Sequence, residues 1–304
     1  MTESTFAGCS VAIARIRWIA VCCLKFNFED KAMGFVKKDY KSEVWPAFQG
    51  EVSLFQADVL SVLYETSNEA LEAIIPPGLK LRGRPLVEIA LNNFHYTNFD
   101  VPYKEAALAI AVTDERLGIE GKLVVAMTLN TDMGSFLGRE ANGYPKKVGA
   151  IDSAYNGKEF TAYCARHGVC YASYSCNTSE KPNDPEYEEL NSEFNKLLPF
   201  KPDHLAAFNY IWPYGVRTRV KPLLQPMWLK MDVTESVKIG KGDVHLNWSR
   251  QDPWASLPVV KILGANVSTG NISLISSEEK YYTEIDPKAY LPYSFFGWDE
   301  PNDK

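Results

Sequence analysis

Beyond residue 50, apolar and β-branched residues alternate with polar ones in short runs that turn residues separate. This period of two is typical of half-buried β-strands. Two short turn sequences are expected, each joining the strands on either side of it into a hairpin: His167-Gly168 and Gly240-Lys241-Gly242. The segment 257–275 fits either a helix or a strand. The other predicted strands cover residues 52–64, 86–99, 105–113, 122–130, 160–165, 169–175, 227–237 and 243–248.

Three segments predict helices, because capping residues precede them or acidic residues fill their first turns. The first, residues 66–75, opens on a capping-box sequence, and the third covers residues 185–198. The second, residues 133–142, is expected to be capped by Asp132 and closed by Gly143. Runs of strands with a few separated helices predict an α+β fold, with a mainly antiparallel, closed sheet and peripheral helices.

The first 32 residues differ from the rest of the chain. Residues 11–24 are apolar enough to suggest a signal sequence or a membrane span, but Arg15 and Arg17 interrupt them. We predict that residues 1–32 are a disordered extension or a gene-model artefact, and that the natural start is Met33. Residues 33–304 then form one domain without a membrane span, which we expect in the cytoplasm.

Composition and charge narrow the range of partners. The chain is 46% hydrophobic and 23% charged, which suits one large core. A net charge of -6 argues against a nucleic-acid-binding protein, which normally carries a basic field. Cys164, Cys170 and Cys176, with His167 among them, leave a metal site conceivable, but their spacing is unlike that of zinc sites. We favour small hydrophobic side chains on a hairpin, and we expect no metal.

The main candidate for chemistry is the segment GREANGYPKKVG, residues 138–149, in which a proline precedes two adjacent lysines. A free lysine amine, with a pKa of about 10.4, is protonated at neutral pH and does not attack a carbonyl. Burial in an apolar pocket or a neighbouring ammonium group disfavours the charged form and releases a nucleophile. On these grounds the pair is either a reactive amine with its neighbour or an ordinary solvated basic pair.

This segment resembles the signature of the acetoacetate decarboxylase family, which reads Gly-Arg-Glu, a short variable stretch, then aromatic-Pro-Lys-Lys. The resemblance extends over residues 34–293. It implies that Lys146 forms a Schiff base with the substrate, that Lys147 contributes positive charge or positioning, and that Glu105 orients the substrate or transfers a proton. It also implies an enzyme that needs no cofactor, built as a cone-like β-barrel and assembled into homo-oligomers.

Two departures from the family pattern concern the substrate. The family has an arginine early in the first core strand, whereas Phe55-Gln56-Ala57-Asp58 contains none. A second family glutamate matches Ala90, and Glu88 lies two residues away on the same face of the strand.

We therefore predict a β-keto acid decarboxylase that releases carbon dioxide and a ketone. Its substrate is acetoacetate-like or a longer acid, such as a polyketide-derived precursor in secondary metabolism. Two alternatives stay open: an aldolase or dehydratase that uses the same Schiff base, and a non-catalytic protein that binds a small molecule.

Overall fold

Strands dominate the part of the chain that the computed structural model describes, namely residues 53–99, 101–195, 205–211, 223–277 and 279–293. These residues lie within one unit, residues 43–304. The predicted extension and the start at Met33 lie outside the described residues. In chain order the strands are β1 (Ser53–Glu65), β2 (Leu79–Leu81), β3 (Leu86–Thr97), β4 (Tyr103–Asp114), β5 (Ile119–Leu129), β6 (Lys146–Val148), β7 (Ala150–Tyr155), β8 (Glu159–Arg166), β9 (Val169–Asn177), β10 (Leu205–Ile211), β11 (Leu223–Val233), β12 (Lys238–Leu246), β13 (Lys261–Ser276) and β14 (Thr283–Glu284).

The strands form one mixed sheet in the order β14-β11-β10-β5-β4-β3-β1-β13-β12-β9-β8-β7, with β2 beside β4 and β6 beside β5. A mainly antiparallel, closed sheet was predicted, whereas the sheet is mixed and, taken as a whole, not closed. Strand β5 pairs in parallel with both β6 and β10. Taken as a whole, the sheet runs between two end strands, β14 and β7, which do not pair with each other; beyond β13 it continues through β12 to β9. Strand β11 pairs with β13 as well as with β10. Strands β11 and β13, which are far apart in the strand order, therefore lie side by side.

Helices are few and short among the described residues: α1 (Asn68–Glu72), α2 (Asp132–Ser135), α3 (Tyr187–Asn195) and α4 (Pro287–Tyr290). Ser67 caps α1 by accepting a hydrogen bond from the backbone of Ala70. Thr131, not Asp132, caps α2, and a π-helical turn, Phe136–Ala141, replaces the second half of the predicted helix. Within the described ranges, no helix is long and apolar enough to cross a bilayer.

The sequence Gly240-Lys241-Gly242 is not a turn but lies inside β12, and the two segments it was expected to join do not pair. A β-carbon on Gly240 would come within 2.6 Å of the carbonyl carbon of Asn177, and one on Gly242 within 3.1 Å of that of Gly264. The glycines therefore allow the backbones to approach closely where β12 changes from one partner strand to another. Glycine inside a strand often marks such a close approach, and not only a turn. The hairpin predicted around His167-Gly168 is confirmed by the pairing of β8 with β9.

Residues of β3 and β4 alternate between two interior faces, because successive side chains of a strand point to opposite sides. One set packs in the main hydrophobic core: Val87, Ile89 and Leu91 on β3, with Ala106, Leu108 and Ile110 on β4. The other set lines a cavity: Glu88, Ala90 and Asn92 on β3, with Glu105, Ala107 and Ala109 on β4. The carboxylates of Glu88 and Glu105 therefore lie on the same face, toward the cavity.

Candidate active site

The cavity on this second face has a volume of about 700 Å³, which lies in the range of ligand pockets. Its walls are mostly apolar and come from β1, β3, β4, β5, β11 and β13. Aromatic rings crowd the part of the cavity beside the start of β4, with neighbouring centroids 4.7 to 6.1 Å apart. These rings belong to Phe55, Phe94, Phe99 and Tyr103.

Lys146 enters this cavity from the first position of β6, where it lies opposite Met127 of β5. The parallel pairing requires a crossover, which α2 and the π-helical turn supply. Gly143, with φ of 76°, turns the chain out of the helical segment as predicted. The guanidinium of Arg139 donates a hydrogen bond to the backbone carbonyl of Lys146 at 3.0 Å and so holds β6 against the turn.

The amine of Lys146 forms an ion pair with the carboxylate of Glu105, and each side chain is only 7% exposed. The hydroxyl of Tyr103 donates to the same carboxylate at 3.5 Å. The Lys146 nitrogen also lies 5.5 Å from the ring centroid of Tyr103 and 5.9 Å from that of Tyr144. The structure thus brings together two of the three predicted site residues, in an apolar and aromatic setting.

Burial, reinforced by the negative charge of Glu105, raises the pKa of the Tyr103 and Tyr144 phenols above their ordinary value. Both hydroxyls therefore stay protonated and remain hydrogen-bond donors at neutral pH. The faces of both rings favour a cation at the lysine nitrogen, which applies to an ammonium and to an iminium alike. A carboxylate in contact with an ammonium group can accept its proton and leave a nucleophilic amine.

Lys147 points away from this cavity, because the neighbouring residue of a strand faces the opposite side. Its amine donates a hydrogen bond to the backbone carbonyl of Gln251 at 2.5 Å and lies 3.8 Å from a carboxylate oxygen of Asp252. It lines a second, smaller cavity of about 230 Å³ with Trp254. The two adjacent lysines therefore line different cavities. A role for Lys147 in catalysis stays a prediction.

Two groups that line the main cavity were not predicted from the sequence. Tyr103 lies two residues before Glu105 on the same strand face, and this spacing could have revealed it. A buried cluster around Lys122 and Glu88 was missed as well, although Glu88 was noted as an alternative carboxylate. The signal for Lys122 is a charged residue at the head of the apolar run of β5.

The position matched to the family arginine carries no cation. Phe55 and Ala57 are both buried, and Phe55 lines the cavity. Among the described residues that line the cavity, the cationic side chains are Lys122 and Lys146. Likewise, in the described ranges, no three side chains of His, Cys, Asp or Glu come together as metal ligands.

Comparison with known proteins identifies the family of the chain. The family model described as acetoacetate decarboxylase (ADC) matches residues 38–278. An acetoacetate decarboxylase of Clostridium acetobutylicum is 30% identical over 105 residues, and this match spans 34% of the chain and 42% of the length of that relative.

Two solved structures share the fold at low sequence identity. The acetoacetate decarboxylase of Legionella pneumophila superposes with a TM-score of 0.63 at 20% identity, over 78% of this chain and 88% of that one. The enduracididine biosynthesis enzyme MppR, complexed with the condensation product of pyruvate and imidazole 4-carboxaldehyde, gives a TM-score of 0.56 at 16% identity, over 73% and 87%. Since the family model matches most of the chain, the protein belongs to the acetoacetate decarboxylase family.

Proposed function

We propose that this protein is a cofactor-independent decarboxylase of a β-keto acid, with Lys146 as the Schiff-base residue. The observation that carries the proposal is the buried contact between the Lys146 amine and the Glu105 carboxylate inside an apolar cavity. An amine that must become a nucleophile needs a proton acceptor within hydrogen-bond reach, and Glu105 meets this requirement. We also propose that the protein acts in the cytoplasm as a homo-oligomer, as its family implies.

The first stage is formation of the iminium. Glu105 accepts a proton from the Lys146 ammonium group, and the freed nitrogen attacks the ketone carbon of the substrate. One proton moves from this nitrogen to the former ketone oxygen to give the carbinolamine. Glu105 then returns its proton to the same oxygen, which leaves as water and produces the iminium. The rings of Tyr103 and Tyr144 stabilise this cation, because it takes the place of the ammonium group near their faces.

The second stage breaks the bond between the carboxylate and the α-carbon. Its electron pair moves to the iminium nitrogen, so carbon dioxide leaves and a neutral enamine forms. Glu105 takes one proton from solvent and delivers it to the enamine carbon, which matches the single proton that the overall reaction consumes. Water then hydrolyses the new iminium and releases the ketone and the Lys146 amine.

The size of the cavity favours a substrate longer than acetoacetate. A volume of about 700 Å³ suits a drug-sized ligand, whereas a four-carbon acid would fill a small part of it. The wall of β3 and β4 between Glu105 and Glu88 consists of Ala90 and Ala107, which suits an alkyl or polyketide-derived chain. A longer chain also gains binding free energy from apolar burial, at about 25 cal/mol per Å², which compensates for the missing arginine.

Borohydride trapping tests the proposal directly. The protein is incubated with 3-oxodecanoate and sodium borohydride, and the adduct is located by peptide mass spectrometry while carbon dioxide is measured. We expect the reduced adduct on Lys146, and no adduct or carbon dioxide from the Lys146→Arg variant. Lys147→Arg serves as the matched control and should retain both. Carbon dioxide release by Lys146→Arg at the wild-type rate would refute the proposal.

An aldol condensation is the second candidate, and the MppR complex with a condensation product favours its inclusion. The same enamine would attack an aldehyde carbon in place of a proton, and loss of water would follow. Consumption of an added aldehyde without carbon dioxide release would identify this reaction. A protein that only binds its ligand would give neither product and no trapped adduct.

A further inference from the structure

A second polar cluster lies in the main cavity, away from the Lys146 amine. The amine of Lys122 contacts the carboxylate of Glu88 at 2.6 Å and the side-chain oxygen of Asn195 at 2.7 Å. The other Glu88 oxygen accepts a hydrogen bond from the Ser61 hydroxyl at 2.8 Å. The Lys122 and Glu88 side chains are 10% and 11% exposed, and both line the cavity.

The strand register places this cluster at a defined distance from the proposed reactive centre. Glu105 of β4 lies opposite Asn92 of β3, and Glu88 lies opposite Ala109. Four residues along a strand span roughly 13 Å. On β3 and β4 the wall between the two carboxylates is formed by Ala90 and Ala107, so this wall of the cavity is apolar.

A purely structural role does not account for the whole cluster. The contact with Asn195, and the Lys122 amine 4.7 Å from the centroid of Phe194, help to hold α3 against the sheet. However, a buried ion pair stabilises a fold no better than well-packed hydrophobic residues of similar volume. The ammonium group has three donors, and its contacts with Glu88 and Asn195 use two of them. By this count one ammonium donor and several carboxylate lone pairs remain, on two side chains that both line the cavity.

From this arrangement we infer that the cluster binds the far end of an elongated substrate, and that this end carries an uncharged oxygen group such as a hydroxyl. The inference rests on the proposed function for its second anchor, Lys146. A hydroxyl donates to Glu88 and accepts from Lys122, whereas an alkyl end satisfies neither. A charged end is disfavoured because the charges of the pair already cancel. The substrate class is thus a β-keto acid with an apolar middle and a distal hydroxyl.

The test compares 3-oxodecanoate with its ω-hydroxy derivative, which differs only at the distal end. We expect the wild-type kcat/KM for the hydroxy acid to be higher by roughly tenfold to a hundredfold, as for a hydrogen bond to a charged group. In the double variant Glu88→Leu/Lys122→Met, which replaces the buried pair by apolar residues, this preference should disappear or reverse. Equal kcat/KM values in the wild type would overturn the inference while leaving the decarboxylase proposal intact.

The exposed pair Lys80 and Glu115 provides a matched control, since its amine and carboxylate also form an ion pair, at 2.8 Å, but outside the cavity. The double variant Glu115→Leu/Lys80→Met should keep the preference for the hydroxy acid. Loss of the preference in this control as well would count against the assignment to Lys122 and Glu88.

A binding experiment separates failure of this inference from failure of the proposed function. Decanoate and ω-hydroxydecanoate lack a ketone and form no Schiff base, so calorimetric titration reports the distal cluster by itself. We expect tighter binding of the hydroxy acid by the wild type and no difference in the Glu88→Leu/Lys122→Met variant. Equal affinities in the wild type would refute the distal site even if no keto acid were ever turned over.

Discussion

Gly138 lies directly against the side chain of Lys146: a β-carbon at Gly138 would come within 2.6 Å of the Lys146 nitrogen and overlap the carbons that carry it. Only the flexible end of the lysine can yield, so the amine must move when the glycine is replaced. Because a displacement of about 1 Å can cost about a hundredfold in rate, we expect Gly138→Ala to lower kcat by roughly that factor. Turnover of 3-oxodecanoate and thermal unfolding, measured on the same samples, check this.

Gly118 is the control for this substitution, since its φ is +64° and a β-carbon there meets nothing within 4 Å. An alanine with left-handed backbone geometry costs about 1–2 kcal/mol, so Gly118→Ala should unfold more easily and keep its kcat. The reverse pattern, with normal turnover in Gly138→Ala, would show that the glycine does not position the amine.

Replacement of Glu105 by glutamine keeps the size of the side chain and removes the counter-charge of Lys146. Removal of one partner from a buried ion pair costs about 3–5 kcal/mol, so we expect Glu105→Gln to lower the free energy of unfolding by about that amount. In Glu105→Gln/Lys146→Met neither charge of this pair is left, and most of the stability should return. Urea unfolding of the single and double variants measures this, and equal stability of wild type and Glu105→Gln would contradict the pairing.

The period-two pattern was sufficient to predict most strands, because burial of one face selects alternate residues whatever their partners are. It could not predict which face encloses a cavity. Ala107 and Leu108 are both apolar, yet Ala107 lines the cavity and Leu108 packs in the core. Parallel pairing of β5 was missed for the same reason, since strand order depends on contacts between distant segments.

The motif identified Lys146, but not its surroundings. The contact between Lys146 and Glu105 joins residues 41 positions apart and depends on the register of β4, β5 and β6. The predicted proximity of two ammonium groups was based on adjacency in the chain. Strand geometry separates them, because adjacent residues of β6 face different cavities.

Lys147 is expected to contribute more to stability than to catalysis. Its amine bonds the carbonyl of Gln251 and lies beside Asp252, whose carboxylate also accepts a hydrogen bond from Arg166 at 2.8 Å. We expect Lys147→Met to lower the free energy of unfolding by roughly 1–3 kcal/mol, the cost of a lost buried hydrogen bond with a charged group. Its kcat should fall far less than that of Lys146→Ala. A comparable loss in the two variants would assign the Lys147 charge to the reaction itself.

Alkaline pH should destabilise the protein through a buried thiol. Burial raises the pKa of Cys164 from its ordinary 9.0 to about 12, so the folded protein holds this proton while the unfolded chain releases it. The protonated thiol contributes fully to the free energy of unfolding below pH 9, and this contribution is lost as the pH rises through 12. The loss is about 1.4 kcal/mol per pH unit and about 4 kcal/mol in total. Urea unfolding of wild type and Cys164→Ala across this range measures the effect, because the two proteins differ in this one titratable group. The variant, although less stable at neutral pH, should lose stability less steeply between pH 9 and 12. Parallel stability curves for the two proteins would show that the thiol is not protected by burial.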